Sequence, residues 1–289
     1  MDQCLTTLPD ESPLFVPGRR WVVLGGAGLS AATGIPTYRD ASGTWRHSRP
    51  IQHREFLEDP AMRRRYWARS YYGWPAVANA GPTAAHTALA QLEQHGQVDL
   101  VISQNVDRLH QRAGSKAVVD LHGRLDQAHC LTCGASRTRS GVQSQLQSDN
   151  PDLPSREHAL RPDGDADIDQ ALVDIFQVPH CDCGGLLMPS VVFFGGTVPR
   201  ERVTRCENAV SQADGLVVAG SSVQVFSGFR FCRLAHRLGK PIVIINPGQT
   251  RADPLATAHY RGDCQRLLPQ WVEALSGADP VCAEQTDRS

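Results

Sequence analysis

The chain reads as an α/β protein: a doubly wound parallel sheet with helices on both faces and a smaller, partly helical insertion domain. Two observations predict this. Runs of Val, Ile and Leu at 21–24, 98–103, 118–121, 191–194, 216–219 and 242–245 are continuous rather than alternating, which suits parallel strands covered on both faces. Helical patterns separate these runs, and strand, helix, strand in repetition implies right-handed crossovers.

The first strand, Trp21-Val22-Val23-Leu24, leads straight into Gly25-Gly26-Ala27-Gly28-Leu29-Ser30. A helix follows in which Pro82 takes the first position, Ala85, Leu89 and Leu92 recur on one face, and Gly96 supplies the stop. Ser227 is the expected cap of a second helix, with Phe231, Leu234, Ala235 and Leu238 as its apolar face before Gly239 and Pro241. Shorter helical patterns lie at 203–213 and 269–275. Two stretches break the rhythm. Residues 37–79 are rich in arginine and aromatics, with a helix from Asp59-Pro60 to about Tyr72, and residues 129–188 carry cysteines at both ends around a polar middle. The middle, 141–169, reads as a mobile loop.

Composition excludes several classes. The 289 residues are 41% hydrophobic and 20% charged, with 29 basic and 30 acidic residues and a net charge of −1. Such a balance gives no global attraction to nucleic acid or to an anionic membrane. No apolar run approaches the ~20 residues that span a bilayer, and the N-terminus lacks the layout of a signal peptide. A cytoplasmic location is expected. Nine cysteines, an odd number, argue against a disulfide framework.

The glycine turn admits two readings, a tight turn or a close backbone approach to a phosphate. It does not meet the usual G-x-G-x-x-G pattern, because Ala31 stands where the third glycine belongs. Gln104-Asn105-Val106-Asp107 closes the strand at 98–103 and so lies at the carboxyl edge of the sheet; it is either a solvated Asx turn or a polar ligand contact. His122 follows the run at 118–121, with Gly123 beside it to admit a ligand; an imidazole with a pKa near ~6.5 suits a general base, though structural histidines are common. Cys130-x-x-Cys133 has the shape of a zinc knuckle, and Cys181-x-Cys183 would complete a four-sulfur site. Tyr66 and Arg69 are three apart on one helix face. On the residues alone they read as part of a basic solvated face, with Tyr66 and Trp67 as packing.

Gly26-Ala27-Gly28-Leu29-Ser30 continued by Gly34-Ile35-Pro36-Thr37-Tyr38-Arg39, then Gln104-Asn105-Val106-Asp107, Leu121-His122-Gly123, Gly220-Ser221-Ser222, Asn246 and the cysteine pairs stand in the order of the sirtuin family signatures. The chain resembles that family of NAD-dependent protein-lysine deacylases from about residue 18 to 275. Arg65-Tyr66-Trp67-Ala68-Arg69 and Gln52-His53 look most like its class II, sirtuin 4-like branch.

The resemblance implies a catalytic domain over 18–289. Its large Rossmann-like NAD-binding lobe covers about 18–36, 80–128 and 189–275, and its small lobe is made of 37–79 and 129–188. It implies NAD as co-substrate, one structural zinc ion on Cys130, Cys133, Cys181 and Cys183, and acylated-lysine proteins or peptides as partners. A monomer is the default expectation, and no nucleic acid or membrane is involved. The nucleotide contacts it implies are Gly26, Ala27, Gly28, Ser30, Ile35, Pro36, Tyr38, Arg39, Trp45, Gln104, Asn105, Val106, Asp107, Gly220, Ser221, Ser222, Asn246, Pro247, Gly248 and Cys264. Asn105 positions a ribose and a water, and Asp107 with Ile35 meets the nicotinamide amide. His122 takes a proton from a ribose hydroxyl, after nicotinamide has left C1′ and the acyl-lysine oxygen has attacked it; hydrolysis then gives free lysine and O-acyl-ADP-ribose. Val191, Val192 and Phe193 form the segment beside which a substrate peptide adds as a strand. In the branch that prefers acidic acyl groups, a Tyr-x-x-Arg pair such as Tyr66 and Arg69 holds the acyl carboxylate.

The chain departs from the family in places. One residue, not two, separates Cys181 from Cys183, so the site keeps its metal with strained geometry, binds it weakly, or recruits His180 or His129. Gly196, Met188 and Ser190 replace residues that are usually acidic, basic or polar, which leaves peptide preference open. The rival readings are a protein mono-ADP-ribosyltransferase, which shares every NAD residue, and a non-catalytic NAD or ADP-ribose sensor or scaffold. A zinc-ribbon nucleic-acid binder fits the charge worst.

Overall fold

The structure, a computed structural model, describes residues 7–16, 18–37, 50–155 and 158–276. In chain order its strands are β1 (Trp21–Gly25), β2 (Val98–Ser103), β3 (Val118–Asp120), β4 (Gly123–Cys130), β5 (Ser136–Thr138), β6 (Leu160–Arg161), β7 (Asp165–Ala166), β8 (Leu187–Val191), β9 (Gly215–Ala219), β10 (Ile242–Ile245) and β11 (Ala258–Tyr260). Its helices are α1 (His53–Glu58), α2 (Pro60–Asn79), α3 (Ala84–Gln94), α4 (Leu109–Arg112), α5 (Arg139–Asp149), α6 (Gln170–Ile175), α7 (Arg200–Gln212), α8 (Phe226–Arg237) and α9 (Cys264–Ser276).

Six strands form one parallel sheet in the order β11-β10-β9-β1-β2-β3. Chain order therefore reverses direction at β1 and β9, the switch point where doubly wound sheets open a ligand crevice. Successive residues of a strand point to opposite faces, and β1 shows what this demands. Trp21 and Val23 enter a core with Leu89 and Leu92 of α3 and Trp271 of α9, while Val22 and Leu24 enter a second core with Val210 of α7 and Phe231 of α8. Both faces are dry, so every position must be apolar. Ile242, Val243, Ile244 and Ile245 are likewise fully buried, each such side chain contributing about 1.5–3 kcal/mol.

The second body draws on both stretches that break the α/β rhythm. Phe56, Trp67 and Ala68 pack with Ala128, Val142, Leu146, Phe176 and Leu187 in a separate core. The fully buried Arg139 pins α5 to α2: its guanidinium donates to the Ser70 carbonyl oxygen at 3.0 Å and lies over the Trp67 and Trp74 rings at 5.6 and 5.2 Å.

Several elements differ from their sequence-based expectation. The apolar run at 191–194 is not a strand of the parallel sheet. β8 ends at Val191 and pairs antiparallel with β4 in a three-stranded sheet of order β5-β4-β8. The sixth parallel strand, β11, carries no apolar run. The stretch 141–169 holds most of α5, which begins at Arg139, and the β6-β7 hairpin. α2 continues past Tyr72 through Pro75 to Asn79. α3 starts after Thr83, not at Pro82, because the Thr83 hydroxyl caps the His86 amide. α8 starts at Phe226, so Ser227 lies inside its first turn and does not cap it. No helix among the described residues is long and apolar enough to cross a membrane.

Candidate active site

A cavity of about 1310 Å³ opens at the switch point and runs from the ends of β1, β9 and β10 to the inner face of α2. Its floor at one end is two glycine loops in contact. The Gly26 and Gly28 amides donate to the carbonyl oxygens of Ala219 and Gly220, at 3.0 and 2.8 Å. A Cβ on Gly28 would stand 2.8 Å from the Gly220 Cα. The glycines here let the β1 and β9 loops close on each other, which shapes the crevice wall, and their own N–H groups are spent in doing so.

The polar residues after β2 are knitted to that wall. Gln104 Nε2 donates to the Gly25 carbonyl oxygen at 3.1 Å and to Ser221 Oγ at 2.9 Å. Asn105 Nδ2 donates to the Gly26 carbonyl oxygen and to Ser30 Oγ, and the Ser30 hydroxyl donates in turn to Asp107 Oδ2 at 2.6 Å. The other Asp107 oxygen accepts the Leu109 amide and starts α4. Ile35, Val106 and Leu125 supply the apolar patch alongside. At the far rim, Asn246 Nδ2 donates to the Gly248 carbonyl oxygen. The buried thiol of Cys264 donates to the Ile245 carbonyl oxygen, and burial pushes it up to about 12, so it is neutral. Pro36, Ser222 and Pro247 also line the cavity. Tyr38, Arg39 and Trp45 lie outside the described residues.

His122 stands between the two lobes. Its Nδ1 lies 2.9 Å from the Gln104 carbonyl oxygen and its Nε2 2.8 Å from Ser227 Oγ. A carbonyl only accepts, so Nδ1 carries the proton and Nε2 presents its lone pair to the Ser227 hydroxyl. Burial pushes the imidazole below its ordinary pKa; the Gln104 bond opposes this and the charge of Arg202 adds to it. The group is a neutral base at physiological pH. Gly123 is required beside it, since at φ +87° a Cβ would lie 2.2 Å from the Ser190 oxygen. Sequence reading missed Ser227 as a partner; nothing local signals a contact 105 positions away.

Beyond His122, the Val192 amide donates to the His122 carbonyl oxygen at 2.7 Å, and the Phe194 oxygen accepts the His53 amide. Phe193 stacks on Phe56 at 4.9 Å and meets the Tyr66 ring edge at 5.3 Å. Tyr66 and Arg69 do share the cavity-facing side of α2. Arg69, however, pairs with Asp165 of the β6-β7 hairpin at 2.6 Å and donates to the Ala166 oxygen. The hairpin is a further wall of the cavity, in a stretch whose sequence predicts a mobile loop.

Cys130, Cys133, Cys181 and Cys183 converge, with their sulfurs all within 4.8 Å of one another. Cys130 and Cys183 are 3.5 Å apart, Cys133 and Cys181 3.8 Å, against about 3.8 Å for a tetrahedron with metal–sulfur bonds near 2.3 Å. The Cys133 and Thr132 amides donate to Cys130 Sγ, and the former draws that thiol down to about 6. The short Cys181-x-Cys183 spacing still closes a turn, through the Gly184 amide and the Cys181 oxygen. His180 and His129 stand outside the cluster, bonded to Val178 and Ser190. The donor set fits a zinc ion.

Residues 26–227 match the Sir2 family model. An "NAD-dependent protein deacetylase" of Xanthomonas campestris pv. campestris (strain 8004) is 49% identical over 251 residues, 86% of either chain. An "NAD-dependent protein deacylase SIR4" of Monosiga brevicollis is 46% identical, covering 83% of this chain and 79% of its own. A Sir2 protein solved with a p53 peptide and NAD+ superposes with a TM-score of 0.75 at 30% identity, over 92% of this chain and 97% of that one. With motifs, strand order and relatives in agreement, the chain belongs to the Sir2 family.

Proposed function

We propose that this protein is an NAD-dependent protein-lysine deacylase in which His122 is the general base. The observation that carries the reading is the His122 imidazole, with its Nδ1 proton fixed on the Gln104 carbonyl oxygen and its basic Nε2 held by Ser227 at the cavity wall. The names of the relatives support the same activity. NAD, consumed as co-substrate, would supply an electrophilic ribose carbon, with nicotinamide as leaving group, and the ribose hydroxyl that carries the acyl group away. The chain supplies the rest. The loops at 26–30 and 220–222 shape the crevice, Asn105 and Asp107 offer an amide and a carboxylate at its centre, and Asn246 to Gly248 close the far rim. Tyr38, Arg39 and Trp45 complete the set by family resemblance. The four cysteines hold one structural zinc ion that ties β4 to the start of β8. The acyl chain enters between Phe193, Tyr66 and Arg69, where the Asp165 carboxylate already neutralises Arg69, which favours uncharged acyl groups. A cytoplasmic location fits cysteines scattered singly outside the cluster.

The test is NAD turnover on a panel of acyl-lysine peptides with mass detection of O-acyl-ADP-ribose, and His122→Tyr as the control. Loss of about 10²–10⁴-fold in that variant is expected of a general base. Wild-type protein that leaves every acyl-lysine intact, or transfers ADP-ribose to protein instead, overturns the reading.

A further inference from the structure

Helices α7 and α8 pack against each other and carry Arg200, Arg202, Arg205, Arg230, Arg233 and Arg237 against only Glu201 and Glu207. On a chain of net charge −1 this is a marked local excess. None of the six is ion-paired among the described residues. Part of this surface is the rim of the cavity, since Arg200 of α7 and Phe226 and Arg230 of α8 line it. Phe226 is 47% exposed and its neighbour Val225 40%. The Arg230 and Arg233 guanidiniums lie 5.4 and 6.0 Å from the Phe226 ring centre. They are held over an apolar base with their charges unspent.

The rim lies on the His122 side. Ser227, next to Phe226, bonds His122 Nε2, and the charge of Arg202 reaches the same imidazole. Across the site, β8 is an edge strand of its sheet and runs into Val192, which bonds the His122 carbonyl. On the deacylase reading, a peptide that pairs with this strand edge and presents its lysine to His122 lays its flanking residues between β8 and the arginine rim, which line the same cavity. Main-chain pairing on a strand edge is indifferent to side-chain type, so discrimination falls to the rim.

We infer that the rim selects acyl-lysine segments whose neighbouring residues are acidic, with Arg230 and Arg233 meeting carboxylates and Phe226 giving the backbone an apolar support. The inference rests on the deacylase reading and adds the class of peptide. Exposed charge pairs are individually weak, and several acting together are expected to lower KM by about tenfold. They are also screened by salt.

The experiment compares three peptides with the same acetyl-lysine core and Asp/Glu, Ser/Gln or Lys/Arg flanks, as kcat/KM at about 0.05 and 0.5 M NaCl. The acidic peptide is expected to lead the basic one by about tenfold at low salt, mainly through KM, and by less than about threefold at high salt. Arg230→Gln with Arg233→Gln should weaken the acidic peptide while improving the basic one, a divergence that general damage to the fold does not produce. Equal rates on all three peptides in the wild type, or an acidic preference that survives both high salt and the double variant, overturn the inference and leave the deacylase reading standing. No turnover of any acyl-lysine peptide overturns both.

Discussion

The guanidinium of Arg69, buried on α2, lies 2.6 Å from the carboxylate of Asp165 at the head of β7. For both partners burial outweighs pairing, pushing the carboxyl up and the guanidinium down. The fold therefore holds this pair together more than the pair holds the fold. An acidic acyl chain reaching Arg69 would have to displace Asp165. Acetyl- and longer uncharged acyl-lysines should be turned over faster than succinyl- or glutaryl-lysine, and Asp165→Asn should narrow that ratio by about tenfold in kcat/KM, the size of one exposed-to-buried charge contact. An unchanged ratio would remove the pair from acyl selection. Arg69→Ala should lower unfolding stability by about 2 kcal/mol in urea melts, between the values of exposed and buried pairs.

His122 makes a prediction about pH. Its folded pKa lies below the ordinary imidazole value, through burial first and then the Arg202 charge. A general base works deprotonated, so kcat/KM should hold as pH falls through ~6.5 and drop only below it. Arg202→Gln removes a charge that disfavours the imidazolium, so the acid limb should move to higher pH. A limb that stays in place, or moves down, would mean that some other group titrates. Ser227→Ala should lower kcat without moving KM for peptide, since the hydroxyl orients Nε2.

The cysteine cluster predicts a metal count and a stability change. Purified protein should hold one zinc per chain by elemental analysis, and Cys133→Ala should abolish it. A closed four-sulfur site contributes directly to folding, so a strong chelator should lower Tm by several degrees. The loss should appear first as protease cutting near 130–135 and 181–187, where β4 and β8 are tied. Zinc-free protein with unchanged Tm would make these thiols ordinary packing.

How legible all this is from the chain depends on whether a cause is local. β1 is readable because its residues alternate between two dry cores and must all be apolar. β11 is not, because at the sheet edge Ala258 and His259 are only half-buried and need no apolar run. His122 and Asn105 can be marked as strand-end polar residues, yet the partners that set their chemistry, Ser227 and Ser30, come from other elements. Pro75 suggests a helix end, but α2 absorbs it because Trp67 and Ala68 before it and Val77 after it are fixed by packing. The β6-β7 hairpin is invisible locally, since its two-residue strands carry no pattern. Its role comes from meeting Arg69.

Beneath the glycine turn, His86 and His110 pack ring to ring at 4.6 Å, both buried, with His110 just under Gly25. The Thr83 amide donates to His86 Nδ1, while His86 Nε2 and both His110 ring nitrogens find no partner among the described residues. Burial pushes His86 down to about 4, with Asp107 opposing, and pushes His110 well below its ordinary value, helped by His86. In the unfolded chain both return to ~6.5. As pH falls below that value the unfolded state takes up protons that the folded state refuses, so stability is lost with acid, by about 1.4 kcal/mol per pH unit for each imidazole, down to pH 4 for His86. Urea midpoints measured from pH 8 to pH 4.5 should show this slope. His110→Leu should match the wild type at pH 8, because no hydrogen bond is given up, and should lose stability less steeply below pH 6, by the share of one imidazole among the several, His86, His122 and His129 included, that burial lowers. An unchanged acid slope in that variant would place the proton uptake elsewhere, and a large loss at pH 8 would mean that the ring makes a contact the unpartnered nitrogens do not reveal.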